Sequence, residues 1–501
     1  MFCSIRSIFL LFSNNISLHL PLINVLLFHQ DAESEAIWPN LKEDFIIMLY
    51  PNSHTPHLQK ELFESPTSEY RSTPFWAWNG KLNPERLSEQ IHFFKKMGFG
   101  GFHMHVRTGM DSPYLTEEFM GYIRHCIDEA KDNQMLAWLY DEDRWPSGTA
   151  GGRVTAGKPE HARKSLLFTT TPYPEESLRK SQEPEAGRGQ DNIRQENGVL
   201  LVIYDVTLNP DGTLKDFAFA EEKAPLPSGA VRWYAYMEYA SADPWFNNQA
   251  YSDTLNPEAI DEFIELTHEA YYKSVGSSFG RTVPAIFTDE PQFTPKQPLN
   301  FAAEQTDIFL PWTRALPEIY EETYHENLLE HLPELFWELP EGKLSAVRWR
   351  FENLVTDLFV KTYCRKIGDW CREHNLYLTG HVMGEGSLSD QTQAVGDAMR
   401  CYRAFVLPGI DMLCDFHEYT TAKQTASIVH QNGAEGMLSE LYGVTGWDYD
   451  FRGYKLQGDW QAALGVTVRV PHLAWMTMKG EAKRDYPASI SYQSPWAKYF
   501  P

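Results

Sequence analysis

PFWAWNG (74–80), GGFHMHV (100–106) and MLAWLYDED (135–143) are short apolar runs, and two amphipathic stretches separate them: NPERLSEQIHFFKKMG (83–98) and TEEFMGYIRHCIDEAKDNQ (116–134). Apolar runs alternating with helical patterns make β/α units and a parallel sheet. Asn83 is placed to cap the first helix, with Pro84 at its first position and Gly98 closing it. Thr116 opens the second, and Glu117 and Glu118 sit at its positive end.

The rhythm resumes downstream. Asn256-Pro257 opens the helix EAIDEFIELTHEAYYKSVG (258–276), which leads to VPAIFTDEP (283–291). A polar and aromatic excursion fills 292–345, and a helix over about 347–374 precedes LYLTGHV (376–382). IDMLCDF (410–416), GMLSELYG (436–443) and PHLAWMTMKG (471–480) follow. Eight such strands with intervening helices close into a (β/α)8 TIM barrel. One segment breaks the pattern. Residues 164–240 carry LLFTTTPY, VLLVIYDVTL and VRWYAYMEYA around a polar stretch, which reads as an inserted β-rich subdomain with a flexible loop. The expected organisation is an irregular N-terminal extension (1–47), a first part of the barrel (48–163), the insertion (164–240) and the remainder of the barrel (241–501). The extension holds two apolar runs, each short of the roughly 20 residues that span a bilayer. Met48 is expected to be the biological start.

The 501 residues suffice for one large barrel plus an insertion. With 68 acidic and 44 basic side chains the formal net charge is −24. That surface repels phosphate backbones and lacks a polybasic anchor, so neither nucleic acid nor membrane is expected as a partner. Six cysteines without CxxC spacing read as reduced thiols of a cytoplasmic protein. The sequence has no GxGxxG, Walker, G-x-S-x-G or HExxH motif, which removes the usual support for nucleotide binding and serine hydrolysis.

In a barrel of this kind the catalytic groups sit where strands end. Asp289 and Glu290 end the fourth run and Glu440 lies on the seventh. Two carboxylates on separate strand ends suit glycoside cleavage, one protonating the leaving oxygen and the other attacking the anomeric carbon or activating water. Each follows an apolar strand, and desolvation raises a carboxyl pKa toward what a general acid needs. Glu290 and Glu440 are therefore the candidate catalytic pair. Asn79, His103, His105, Asp141, Glu142, Asp289, His381 and Tyr442 are candidates for binding substrate hydroxyls. Trp78, Trp145 and Trp447 are candidate stacking faces, fitting a chain with 15 Trp and 25 Tyr.

Two metal readings stand beside this one. Asp141, Glu142 and Asp143 could hold Ca²⁺, which takes oxygen ligands, or could instead contact sugar hydroxyls or Arg144. His103 and His105, two apart in a strand, face one side, and with His381 and His417 suggest a metal-dependent hydrolase. Barrels of the amidohydrolase type carry HxH on the first strand and Asp on the eighth. Here HxH lies on the second, and the eighth offers Lys479.

PFWAWNGKLNPERLSEQI, GFGGFHMHVRTG, WLYDEDRWPSGTAGG and IFTDEP together resemble the catalytic barrel of bacterial glycoside hydrolases related to the family 106 α-L-rhamnosidases. The likeness runs from about Pro74 to Gly480. It implies a glycosidase acting on plant or microbial polysaccharide fragments, with an oligosaccharide or glycoside as substrate. That family is described as calcium-dependent and inverting, its barrel followed by β-sandwiches; this chain is expected to lack the sandwiches or to be a fragment. A second likeness, to the clan A glycosidases, implies an acid/base glutamate after strand four and a nucleophile after strand seven, matching Glu290 and Glu440. The clan's Asn before the acid is Asp289 here. A non-catalytic carbohydrate-binding barrel is a further alternative.

Overall fold

The computed structural model describes residues 49–50, 57–174, 192–479, 487 and 490–500. The expected extension 1–47 and most of the polar stretch in the insertion lie outside them.

The strands, in chain order, are β1 (Phe75–Trp78), β2 (Gly101–Val106), β3 (Leu136–Tyr140), β4 (Lys164–Thr169), β5 (Val199–Leu208), β6 (Leu214–Phe219), β7 (Val231–Tyr239), β8 (Ala285–Asp289), β9 (Ile308–Trp312), β10 (Tyr377–His381), β11 (Leu407–Met412), β12 (Leu438–Leu441), β13 (Val468–Pro471) and β14 (Ala474–Trp475). The sheet β13-β12-β11-β10-β8-β3-β2-β1-β14 is parallel throughout. β13 and β14 are two halves of one eighth strand. The first half pairs with β12 and the second, two residues later, with β1, so the chain itself closes the ring. This is the (β/α)8 barrel that the eight apolar runs imply.

The helix starts follow the sequence signals. Asn83 accepts from Arg86 N–H at 3.0 Å, Thr116 from Phe119 N–H at 3.3 Å and Asn256 from Glu258 N–H at 3.0 Å. Each cap satisfies a backbone donor that the first helical turn leaves without an intrahelical partner.

Side chains alternate along each strand between lumen and helices. Phe75, Ala77, Trp138, Tyr140, Phe287 and Trp475 fill the lumen side, with His103 and His105 edge-on to Phe75. Trp76, Trp78, Phe102, Met104 and Ile286 pack with the helices instead. Trp78 is fully buried there against Phe119, so the stacking face expected of it is covered by protein.

A second sheet, β6-β5-β7-β4-β9, is antiparallel. Its fifth strand, β9, arises from the segment that reads as a polar and aromatic excursion. β9 pairs along β4 from Lys164 to Phe168. Phe168, stacked between Trp233 and Phe336, anchors the sheet. The described cysteines, 126, 364, 371, 401 and 414, are all free thiols. No helix among the described residues is long and apolar enough to cross a membrane.

Candidate active site

The site is built at the C-terminal ends of β8, β10, β11 and β12. Register brings Asp289 opposite His381 and Asp411 opposite Glu440. β10 approaches β8 so closely that a Cβ on Gly380 would lie 1.9 Å from the Thr288 carbonyl oxygen, and Gly380 has φ 114°. Only glycine tolerates both conditions. Glu290, one residue past β8, takes φ 47°, a left-handed conformation uncommon outside glycine. Its N–H donates to the His381 carbonyl at 3.1 Å, and the turn carries its carboxylate back over His381.

His381 is the hub. Its Nε2 lies 3.2 Å from Asp289 Oδ1, 3.7 Å from Asp411 Oδ2 and 3.8 Å from Glu440 Oε2. A Glu290 oxygen falls within 4.8 Å of the same ring. Tyr140 O–H donates to Asp289 Oδ2 at 2.6 Å, and His472 Nε2 is 3.8 Å from Glu440 Oε1. Glu385, on the loop after β10, accepts from Asp411 N–H at 2.5 Å and from the Tyr402 hydroxyl.

The charges follow from this packing. Burial disfavours the imidazolium, yet the adjoining Asp289 carboxylate and the charges of Asp411 and Glu440 prevail and hold His381 well above its usual range. Asp289 is held low: burial opposes its charge, but His381 and the Tyr140 hydroxyl outweigh it. Glu290 and Glu440 are both pushed well up, by burial first and then by the charges of Asp411 and Asp289. Burial lifts Asp411 to about 6 and Glu385 to about 8, in each case against the pull of His381.

The other predicted residues fall into distinct places. His105 stacks on Tyr140 at 4.1 Å, its Nδ1 2.6 Å from the Val106 carbonyl, and its buried Nε2 is without a hydrogen-bond partner. His103 lies deeper, stacked on Trp138, with Nδ1 3.1 Å from the Thr73 carbonyl. Burial pushes both imidazoles down to about 3, so they are neutral. Asn79 exchanges two hydrogen bonds with the Thr477 backbone and fastens β1 to the segment after β14. Tyr442 packs on Tyr454 of the helix Phe451–Ala463. Trp145 faces Trp245 at 5.9 Å, and Trp447, 53 % exposed, stands on the loop after β12.

The three acidic residues after β3 are divided among separate partners. Asp141 accepts from Ser147 Oγ at 2.6 Å, while Asp143 pairs with Arg144 at 2.9 Å and accepts from Asn247 at 3.0 Å. Glu142 turns into its own loop and accepts from the backbone N–H groups of Asp143, Gly148, Thr149, Ala150 and Gly151. This buried knot explains the WPSGTAGG stretch, whose glycines let the chain curl around one carboxylate. Glu142→Gln puts an NH₂ group against N–H donors and should cost about 3 kcal/mol of stability, read as a lowered Tm or denaturation midpoint. An unchanged midpoint would count against the knot.

Among the described residues, two groups offer ligand atoms within 4.8 Å of one another: Asp289, His381 and Glu440, and Glu290, His381 and Asp411. Asp141, Glu142 and Asp143 form no such group. His417 lies outside the cluster too, on the rim between Tyr419 and Trp460. The four histidines of the expected metal site therefore do not converge.

Sequence reading finds Glu385 among the polar residues beyond the fifth run without giving it a role, and it misses Asp411. The sixth run is read over 410–416, whereas β11 spans Leu407–Met412. A charged residue inside an otherwise apolar run was the available signal.

No family model matches the chain, and no curated protein matches it by sequence. Solved structures do match. A rhamnosidase from Novosphingobium sp. PP1Y superposes with a TM-score of 0.57 at 14 % identity, over 88 % of this chain and 59 % of that one. A β-galactosidase from Bacillus circulans sp. alkalophilus matches at a TM-score of 0.43 and 10 % identity, over 84 % of this chain and 53 % of that one. At these identities the likeness is one of fold, and this chain spans about 59 % of the rhamnosidase's length.

Proposed function

We propose that the protein is an O-glycosyl hydrolase, with Glu290 as general acid and Glu440 as nucleophile or general base, acting on a carbohydrate of the α-L-rhamnoside class. The observation that carries this reading is the meeting of Glu290 and Glu440 over one buried imidazole, from the ends of strands β8 and β12. The charge of Glu290 is among those that raise Glu440, so a proton retained by Glu290 favours the anion at Glu440. A protonated acid facing an anion is what glycosidic cleavage needs. Positive charge building at the anomeric carbon further stabilises the Glu440 carboxylate.

The sign of the pH dependence follows. kcat/KM falls on the alkaline side as Glu290 gives up its proton. It falls on the acid side as the anions of the cluster are protonated, Asp411 at about 6 among them. A rate profile on aryl glycosides, with the α-L-rhamnoside in the panel, checks both the activity and its limbs. Absence of hydrolysis across the panel would overturn the reading.

The second reading, a metal-dependent hydrolase, is favoured by the two groups around His381. Metal analysis of the purified protein together with chelator treatment decides between them: a stoichiometric transition metal whose removal abolishes turnover selects the second reading.

A further inference from the structure

The loop after β3 has two ends with different surroundings. Near its start it is fastened to the catalytic cluster: Ser147 N–H donates to the Asp289 carbonyl at 2.7 Å, and Asp289 N–H donates to Ser147 Oγ at 2.8 Å. Farther along, Gly151 and Arg153 turn outward. With Asp111, Asp143, Arg144 and Asn247 they wall a cleft of about 320 Å³. That volume is within the range of ligand pockets, roughly 300–1,000 Å³. None of these residues belongs to the cluster around His381.

The chemistry of the walls is specific. Arg144 and Arg153 supply two planar guanidinium groups, Asp111 and Asp143 two carboxylates, and Asn247 a carboxamide. Each presents paired polar atoms in a plane, the geometry that grips adjacent hydroxyl groups. Cations and anions balance in number, and Arg144 already pairs with Asp143. A phosphate or uronate at Arg144 would meet the Asp143 carboxylate, whereas an uncharged polyol can use donors and acceptors alike. Arg144 also borders the packed group His105, Arg107, Trp145 and Trp245, and so stands between the cleft and the lumen-facing His105. The guanidinium of Arg144 lies 5.9 Å from the Trp245 ring centroid.

We infer that this cleft is a subsite for a neutral sugar unit remote from the bond that is cleaved, so that the cognate substrate is an oligosaccharide and not a simple glycoside. The inference rests on the glycosidase reading and adds the size and charge of the substrate to it.

The test compares kcat/KM on the nitrophenyl glycoside of the accepted sugar with kcat/KM on a neutral tetrasaccharide ending in that sugar. The wild type is expected to favour the tetrasaccharide by about 10-fold or more, the equivalent of about one charge-assisted hydrogen bond. Asp111→Ala and Arg153→Ala, both at exposed positions, should each lower that ratio by about 5-fold. A wild-type ratio near one, a ratio unmoved in both variants, or a stronger preference for a uronate-bearing tetrasaccharide would overturn the inference while leaving the glycosidase reading intact. Should the wild type cleave neither substrate, the reading of the activity fails by itself. Calorimetric binding of the tetrasaccharide, lost in the double variant, then still reports the cleft, and undiminished binding in that variant refutes it.

Discussion

Glu290→Gln is expected to lower kcat on a glycoside with a poor leaving group by about 10²–10⁴-fold, the usual contribution of a positioned general acid. On a dinitrophenyl glycoside, which leaves without protonation, the loss should be much smaller. Glu440→Gln should lower kcat at least as far on both substrates, because no leaving group replaces an attacking or water-activating carboxylate. The contrast assigns the roles. Equal losses for both variants on both substrates would remove the distinction between acid and base, and full activity in either would remove that residue from the mechanism. The fold should persist. Burial and the charges of Asp411 and Asp289 raise Glu290 well above an ordinary glutamate. A group with a raised folded-state pKa contributes stability below its unfolded pKa, and that contribution is lost as pH rises through the folded value. Glutamine has no proton to lose, so Glu290→Gln should match or exceed the wild-type Tm above neutrality.

His381→Gln is the second large effect. The imidazolium touches Asp289 and faces Asp411 and Glu440 at 3.7 and 3.8 Å. Removing this positive charge from the centre of four carboxyl groups raises their pKa values. The acid limb of kcat/KM should therefore move to higher pH, with kcat at neutral pH down by about 10²-fold or more. A residue that only packed would lower activity without moving the limb, so an unshifted profile argues against the hub. Stability gives a second readout. His381 is raised in the folded protein, so its contribution is present in acid and is lost as pH climbs through the folded value. Asp289 is depressed, so its contribution is present above the unfolded carboxyl pKa and is lost as pH falls through the folded value. Both dependences should disappear from the Tm–pH curve of the variant.

The barrel was legible in the sequence because it rests on periodicity and caps. Asn83, Thr116 and Asn256 mark helix starts by local hydrogen bonding, and each apolar run overlaps a strand. Glu290, Glu440 and His381 were legible as polar residues at strand ends, and the structure gathers them. What the sequence did not show depends on which way a side chain points. Trp78 and Ala77 are neighbours on β1, yet one faces helices and the other the lumen, and a run apolar on both faces carries no alternation to distinguish them. Asp411 was hidden by a strand end misplaced by a few residues, the usual weakness of boundary reading. Glu142 reads as a ligand or binding residue because nothing local shows that five backbone amides will converge on it. Neither the left-handed turn at Glu290 nor the close approach at Gly380 has a signal in the one-dimensional pattern.

The closure of the ring by the halves of its last strand bears on biosynthesis. Asn79 and Thr477, which fasten that seam, are separated by 398 positions. During translation the outer edge of the first strand therefore stays without its neighbour until nearly all of the described chain has left the ribosome. A parallel sheet with such distant partners assembles slowly and offers bare edges to other nascent chains meanwhile. Yield in a heterologous host should thus respond more to chaperone supply and growth temperature than to the thermodynamic stability of the finished molecule.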